Sequence, residues 1–387
     1  MNLADMLSYA DINQLTRIAQ RYGCVCNEHS KHELIQSILS ALGRRDVFEQ
    51  HVSEMTLEEL RFLNSILFDR RASFSLEELI ARVQQTRFDL DSDGGEKQAH
   101  NAAPMPHPRE TISKFKHSGW LFNGCSHQTK YLFQVPSDLK LRLIDVLRQS
   151  FAMHLTETDT PTSYRDEDGR MAEDVLHLLK FIENGNVMLN AEGVMYKKTQ
   201  QQLLDYFAVQ EAPIARGEWR FGYGRRFHDY PNRMSLLYDY AFYQGWLEEG
   251  DGRLSCTPKG LERVASGGVE SSASLYRFWL KLYKNAIPNL LSIVHWIQLC
   301  TKQWTTLDSL ERALLPFVRP FFFDTPQSVF RQRIIMMLVH LGVIRFGEDE
   351  QYGSVIQTTR RGQLIIDSVY VAHEDKIQLE VDKRHSH

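Results

Sequence analysis

The sequence predicts a mainly helical fold with short β-hairpins, an α+β class assembled from tandem modules. Three observations carry this. The first is the stretch 231–266, "PNRMSLLYDYAFYQGWLEEGDGRLSCTPKGLERVAS", which holds four signals in order. A helix opens at Pro231, where a missing N–H costs nothing, and Leu236, Leu237, Tyr240, Ala241 and Tyr243 recur at roughly helical spacing. Gly245 supplies the left-handed stop. Trp246 and Leu247 start a strand, Glu248 to Gly252 turns, and Arg253 to Cys256 returns before Thr257-Pro258-Lys259-Gly260 restarts a helix. The second observation is repetition. The same succession runs from Pro108 through Gly119-Trp120 to Pro136, and from Pro326 through Gly342-Val343 to Thr359. Thr359-Arg360-Arg361-Gly362 stands in frame with Thr257-Pro258-Lys259-Gly260. The third is composition: 387 residues, 43% hydrophobic and 24% charged, are ordinary for two to four globular domains. Helix, glycine and hairpin form the closing half of a winged helix. Tandem winged-helix modules behind a small N-terminal helical module are therefore expected.

Residues 1–48 read as that helical module. Ile12, Leu15, Ile18 and Ala19 line one helix face and Gly23 ends it. Ser30 with Glu33 predicts a capping box ahead of Leu34, Ile35, Ile38 and Leu39. The first winged module is expected over 50–156. Thr56 and Ser75 are its helix caps, and the polar, Gly/Pro-bearing 89–107 is a flexible insert. The second is expected over 157–270, opening with a polar linker (157–170) and carrying a second insert at 208–230. A linking helix from Ser274 to Asn285 leads into the third, 271–375, where Thr306 is a helix cap. Residues 376–387 are expected to fray.

The formal net charge of −4 argues against a general phosphate-binding coat but leaves room for a local basic face. No apolar run reaches membrane-spanning length. The first residues, "MNLADMLSYADINQ", lack a basic region and an apolar core, so a secretory signal is not expected. Five cysteines, an odd number, point to reduced thiols and the cytoplasm.

The insert leading into the second module concentrates the candidate binding residues. "RGEWRFGYGRRFHDYPNR" interleaves arginines with aromatics, which suits phosphate contact combined with base stacking. We expect Arg216, Trp219, Arg220, Tyr223, Arg225 and Arg226 to touch nucleic acid. The early turns of the candidate recognition helices add Asn232 and Arg233, then Gln327 and Arg331. Arg109 and Lys114 occupy that place in the first module. The alternative is an ordinary loop whose aromatics pack and whose arginines pair with nearby acids.

No catalytic signature is present. G-x-x-x-x-G-K-[ST], H-E-x-x-H and G-x-S-x-G are all missing. Cys24, Cys26, His29 and His32 match no common zinc spacing, and capping already accounts for that stretch. Asp166, Glu167, Asp168, Glu173 and Asp174 depart from the EF-hand pattern and read as a solvated linker with an acidic helix start. We expect no metal, cofactor or small-molecule substrate.

Two resemblances follow from quoted residues. "L-x-x-I-A-x-x-Y-G" with "S-K-x-E-L-I-x-x-I-L" is similar to SAP and Rho-N-terminal-type modules, small nucleic-acid or protein-docking units. "GWLF…YLFQVPSDL" (Gly119 to Leu139), "YQGWLEEGDGRLSCTPKG" (Tyr243 to Gly260) and "LGVIRFG…TTRRG" (Leu341 to Gly362) together resemble the accessory region preceding the motor of XPB-type DNA helicases, and free-standing bacterial helicase-associated winged-helix proteins. The motor motifs are absent. The resemblance implies a role beside DNA in repair, replication or transcription. The expectation is a cytoplasmic, non-enzymatic DNA-binding adaptor working with a helicase or nuclease. The alternative is a protein-interaction scaffold without nucleic-acid contact.

Overall fold

In the computed structural model, which describes residues 1–88, 107–214, 223–321, 324–372 and 375–377, the fold is mainly helical with small antiparallel sheets. The chain divides into two compact units, Met1–His154 and Leu155–His387.

The first unit contains α1 (Leu3–Tyr9), α2 (Ile12–Arg21), α3 (Lys31–Gly43), α4 (Arg45–Ser53), α5 (Leu57–Leu67), α6 (Leu76–Gln85), α7 (Pro108–His117), a hairpin of β1 (Phe122–Asn123) and β2 (Phe133–Gln134), and α8 (Ser137–Ala152). Side-chain caps set the helix starts. Thr56 and Glu59 form a reciprocal capping box on α5, and Ser75 caps α6. Ser30 caps α3, but the expected box is incomplete there, because the Glu33 carboxylate accepts from the N–H of Asn27 instead. The N-terminal helices, expected as a separate module, belong to this unit. Gln14 Nε2 donates to the Leu121 carbonyl (3.3 Å) and the Tyr22 hydroxyl to that of Ser118 (2.9 Å), so α2 lies against the end of α7. Trp120, Phe48, Phe62 and Phe74 fill the core.

The second unit opens with two strands, β3 (Glu157–Thr158) and β4 (Ser163–Arg165). It continues through α9 (Arg170–Asn184), β5 (Val187–Met188), α10 (Lys197–Tyr206), α11 (Asn232–Tyr243), β6 (Leu247–Gly250), β7 (Arg253–Cys256), α12 (Pro258–Ser266) and α13 (Ser272–Tyr283). Next come α14 (Leu290–Cys300), β8 (Trp304–Thr306) and α15 (Leu307–Leu314). A helical run follows: α16 (Pro326–Ser328), a π-helical stretch Val329–Ile335, and α17 (Met336–His340). The unit closes with β9 (Ile344–Asp349), β10 (Gly353–Thr358) and α18 (Arg360–Ser368). Thr306 stands at the start of α15, yet its hydroxyl bonds that of Ser309 (2.7 Å) rather than a backbone N–H.

Three segments share one element order: helix, short strand, helix, helix, hairpin, helix. In the first unit a bridge between Phe74 and Phe133 takes the place of the short strand. In the second unit β5 pairs with β7, and β8 with β10. The third helix of each segment ends identically. The N–H groups of Trp120, Trp246 and Val343 reach back five residues to the carbonyls of Phe115, Ala241 and Leu338 at 2.9–3.0 Å. The preceding Gly119, Gly245 and Gly342 all have φ near +70°. This is the Schellman stop that only glycine adopts without strain.

The polar stretch expected as a linker, 157–170, is instead part of a sheet. β3 pairs with β8 and β4 with β9, giving the strand order β3-β8-β10-β9-β4. Its polarity suits edge strands, which carry charge outward while the backbone is paired. The acids that follow are ion-paired, Glu167 in the interior and Asp166 and Asp168 at the surface. Asp166 pairs with Arg345 (2.7 Å), Asp168 with Arg361 (2.9 Å), and Glu167 with Arg165 and His340. The expected linking helix, α13, is also core. Leu275, Tyr276, Phe278, Trp279, Leu280 and Tyr283 are buried and Arg277 is exposed, so a wide apolar face packs into the unit.

Candidate nucleic-acid interface

The described arginines of the arginine-rich insert are paired with acids of their own unit. Arg216, Trp219 and Arg220 lie outside the described residues, as do 89–106 of the first insert and 378–387 of the tail. Arg225 and Arg226 both pair with Glu249 (2.8 and 2.9 Å). The Arg225 guanidinium stacks 3.9 Å from the Phe242 ring, and Arg226, only 12% exposed, also donates to the Glu192 carbonyl (3.0 Å). Tyr223 is buried edge-on between Tyr283 and Phe321, and burial pushes its phenol pKa well up. These residues bind the segment to its own unit, the alternative weighed from the sequence.

The recognition helices expected in the second unit hold most of their named polar residues in internal pairs. Nine of the twelve residues of α11 are buried, which leaves no open face for a groove. Arg233 is 0% exposed and pairs with Asp174 at 2.5 Å and Glu167 at 3.5 Å. Asp174 also takes His177 (2.7 Å) and the N–H of Ala208 (2.7 Å). Burial raises the pKa of Glu167, but the hydrogen bond from His340 and the nearby cations outweigh it, so its carboxyl lies below the usual range. Asn232 accepts from Arg333 (3.3 Å), and Arg331, half-exposed, is held by Asp308 (2.6 Å) and Glu311. Gln327 alone of this group is exposed without a recorded side-chain partner. Both hairpins of this unit end in acids, with Glu248 and Asp251 exposed on one, Glu348 and Glu350 on the other.

The first unit carries a local group of cations. Core spacing on α2 buries Leu15, Ile18 and Ala19 and turns Arg17 and Arg21, one helical turn apart, outward. The last turn of α7 adds Lys116 and His117. Arg17 comes within 2.7 Å of His117 Nε2. Arginine can only donate, so the ring nitrogen accepts and the imidazole is neutral. Burial, then Arg17, then Lys116 hold the His117 pKa below the ordinary histidine value. Among the described residues no carboxylate lies within ion-pair distance of Arg17, Arg21 or Lys116. Lys114, by contrast, is taken by Glu59. The same helices border a small crevice lined by Arg21, His51, Glu54, Glu59 and Lys114. His51 is buried there, which with the charge of Arg21 lowers its pKa.

Sequence reasoning missed this ridge because it weighted local arginine density. The available signal was weaker: two arginines at i, i+4 on the polar side of an amphipathic helix. Among the described residues no group of histidine, cysteine and acid side chains is placed to hold a metal, and no helix is long and apolar enough to cross a membrane. No disulfide links the five cysteines. Compared with known proteins, the chain matches no family model, no curated sequence and no solved structure.

Proposed function

We propose that the protein is a non-enzymatic DNA-binding adaptor of winged-helix modules, with its phosphate-binding surface on the first unit. The approach of Arg17 to His117 at 2.7 Å, beside Arg21 and Lys116 and without a carboxylate in pairing distance, carries the reading. Arg17, Arg21 and Lys116, with no carboxylate among the described residues in pairing distance, keep their charge available to a phosphate. The repeated order of helix, strand, helix, helix and hairpin supports the winged-helix reading. The second unit, with its paired arginines and acidic hairpin tips, would face a protein partner. The motif resemblance supports a helicase or nuclease as that partner, in the cytoplasm.

The test is fluorescence anisotropy with labelled DNA over a salt series. Arg17→Ala with Lys116→Ala should weaken binding and reduce the magnitude of the log–log salt slope by about 2, since each phosphate contact contributes about 0.9. Arg331→Ala, which touches an internally neutralised arginine, should leave the slope unchanged. Absence of binding even at low salt would overturn the proposal. A scaffold without nucleic-acid contact is the second reading, favoured by the internal pairing of Arg225, Arg226, Arg233 and Arg331. It requires a partner that stays bound after nuclease digestion.

A further inference from the structure

We infer that the tip of the β1–β2 hairpin is a base-stacking element, so that the first unit prefers duplex DNA with an unpaired extension over a blunt duplex. The inference rests on the nucleic-acid reading of this unit. Tyr131, at 75% exposure, is the most exposed tyrosine described, although the turn carrying it is tightly built. The Ser126 N–H donates to Thr129 Oγ1 and the Thr129 N–H to Ser126 Oγ, both at 3.2 Å. The N–H groups of Gly124 and Leu132 reach the carbonyls of Leu132 (3.0 Å) and Thr129 (2.8 Å). Asn123 Nδ2 holds the Lys130 carbonyl at 3.0 Å. A Cβ at Gly124 would stand 2.3 Å from Thr129 Oγ1, so the turn has closed on itself there. The packing is done by Leu121 and Phe122, which are buried, and by Phe133, which pairs with Phe74. Folding therefore uses neither the ring of Tyr131 nor its hydroxyl, and the tight turn fixes the backbone from which the ring projects. An exposed aromatic on an ordered turn is a stacking platform whose backbone ordering cost is already met.

Charge at the tip points the same way. The Lys130 ammonium sits 4.8 Å from the centre of the Tyr131 ring, ready for a phosphate flanking the stacked base. Residues 123–132, "NGCSHQTKYL", contain no acid, whereas both hairpins of the second unit end in acids. Reach is also suitable. His117 and Tyr131 are joined by six residues to Asn123, one rung to Phe133, and two residues back. That path spans at most roughly 35 Å, about one turn of duplex. Their separation is therefore within the reach of one short DNA segment, the ridge on phosphates and the tip on a base.

The test uses the full chain and two probes: a blunt labelled duplex, and the same duplex with a short single-stranded extension bearing 2-aminopurine at the junction. The wild type should bind the extended probe more tightly and quench the 2-aminopurine. Tyr131→Ala should lose roughly 5- to 150-fold on the extended probe, the equivalent of about 1–3 kcal/mol per stacked base. It should keep its affinity for the blunt duplex and its salt slope. Tyr131→Phe should retain the preference. Equal affinity of the wild type for both probes, or an unaltered preference in Tyr131→Ala, would overturn the inference and leave the phosphate ridge standing. Salt-insensitive or absent binding to both probes would overturn the underlying reading as well.

Discussion

Asp239 shows at the scale of one residue what burial does to a charge. It sits on the enclosed side of α11, accepts from the N–H of Arg225 (2.9 Å), and lies so close to Gly224 that a Cβ there would be 2.0 Å from its carboxylate. Burial, only partly offset by that N–H, Arg225 and Arg226, pushes its pKa from 3.8 up to about 7. Between these two values the folded chain keeps a proton that the unfolded chain has lost. Stability therefore falls as pH rises through that window and is flat above it. Asp239→Asn keeps an acceptor for Arg225 and removes the buried charge. It should raise the denaturation midpoint above pH 7, by at most ~4 kcal/mol in free energy, and change nothing near pH 3. An unchanged difference across that range would contradict the assignment. The arginines teach the same lesson. Arg226 and Arg17 look alike in the sequence, but one is spent on Glu249 and the other has no such partner.

At the scale of elements, the two Thr-x-x-Gly restarts are a device rather than a resemblance. Thr257 and Thr359 cap α12 and α18, and their N–H groups bond the carbonyls of Trp246 and Val343 at 3.0 Å. Those carbonyls stand where a Cβ on Gly260 or Gly362 would lie, at 2.2 and 2.0 Å. The end of one helix is thereby pinned to the start of the next across the hairpin. Gly260→Ala or Gly362→Ala should each cost roughly 1–3 kcal/mol, the usual range for overpacking, read as a shift in urea midpoint. Gly267→Ala is not an equivalent control despite its open surroundings, because its φ of +61° strains any side chain. Gly43→Ala, with open space and no such φ, should be near neutral. Equal effects at Gly43 and Gly260 would refute the close-approach account.

At the scale of the molecule, the chain comprises two units, and the second is tied together by buried charge. Arg233, Asp174, Glu167 and His340 come from the strand-to-helix entry, from α9, and from both expected recognition helices. Removing one member of such a cluster leaves an unmatched ion in the interior and costs roughly 3–5 kcal/mol. In calorimetry Arg233→Ala should lower the midpoint of the transition belonging to the second unit and spare the first. Arg17→Ala should move neither. A uniform shift of all unfolding would mean that the cluster does not act within one unit. The net charge of −4 conceals this arrangement. It averages a cationic ridge on the first unit with acidic hairpins on the second.

Much of this was readable from residue order. The helix stops at Gly119, Gly245 and Gly342, the caps at Thr56 and Ser75, the hairpin turn at Asp251-Gly252 and the in-frame restarts all follow from signals within a few residues, because the hydrogen bonds that satisfy them span only three to five positions. Placement of charge was not readable. Whether Arg233 faces DNA or Asp174 depends on a carboxylate 59 positions earlier in number; whether 157–170 is a linker or two edge strands depends on partners near 304 and 347. Pairing across such distances is decided by which surfaces the core brings together. Hydropathy and spacing are blind to that, so the chain order specified the pieces and the tertiary structure decided which arginines ended in ion pairs and which did not.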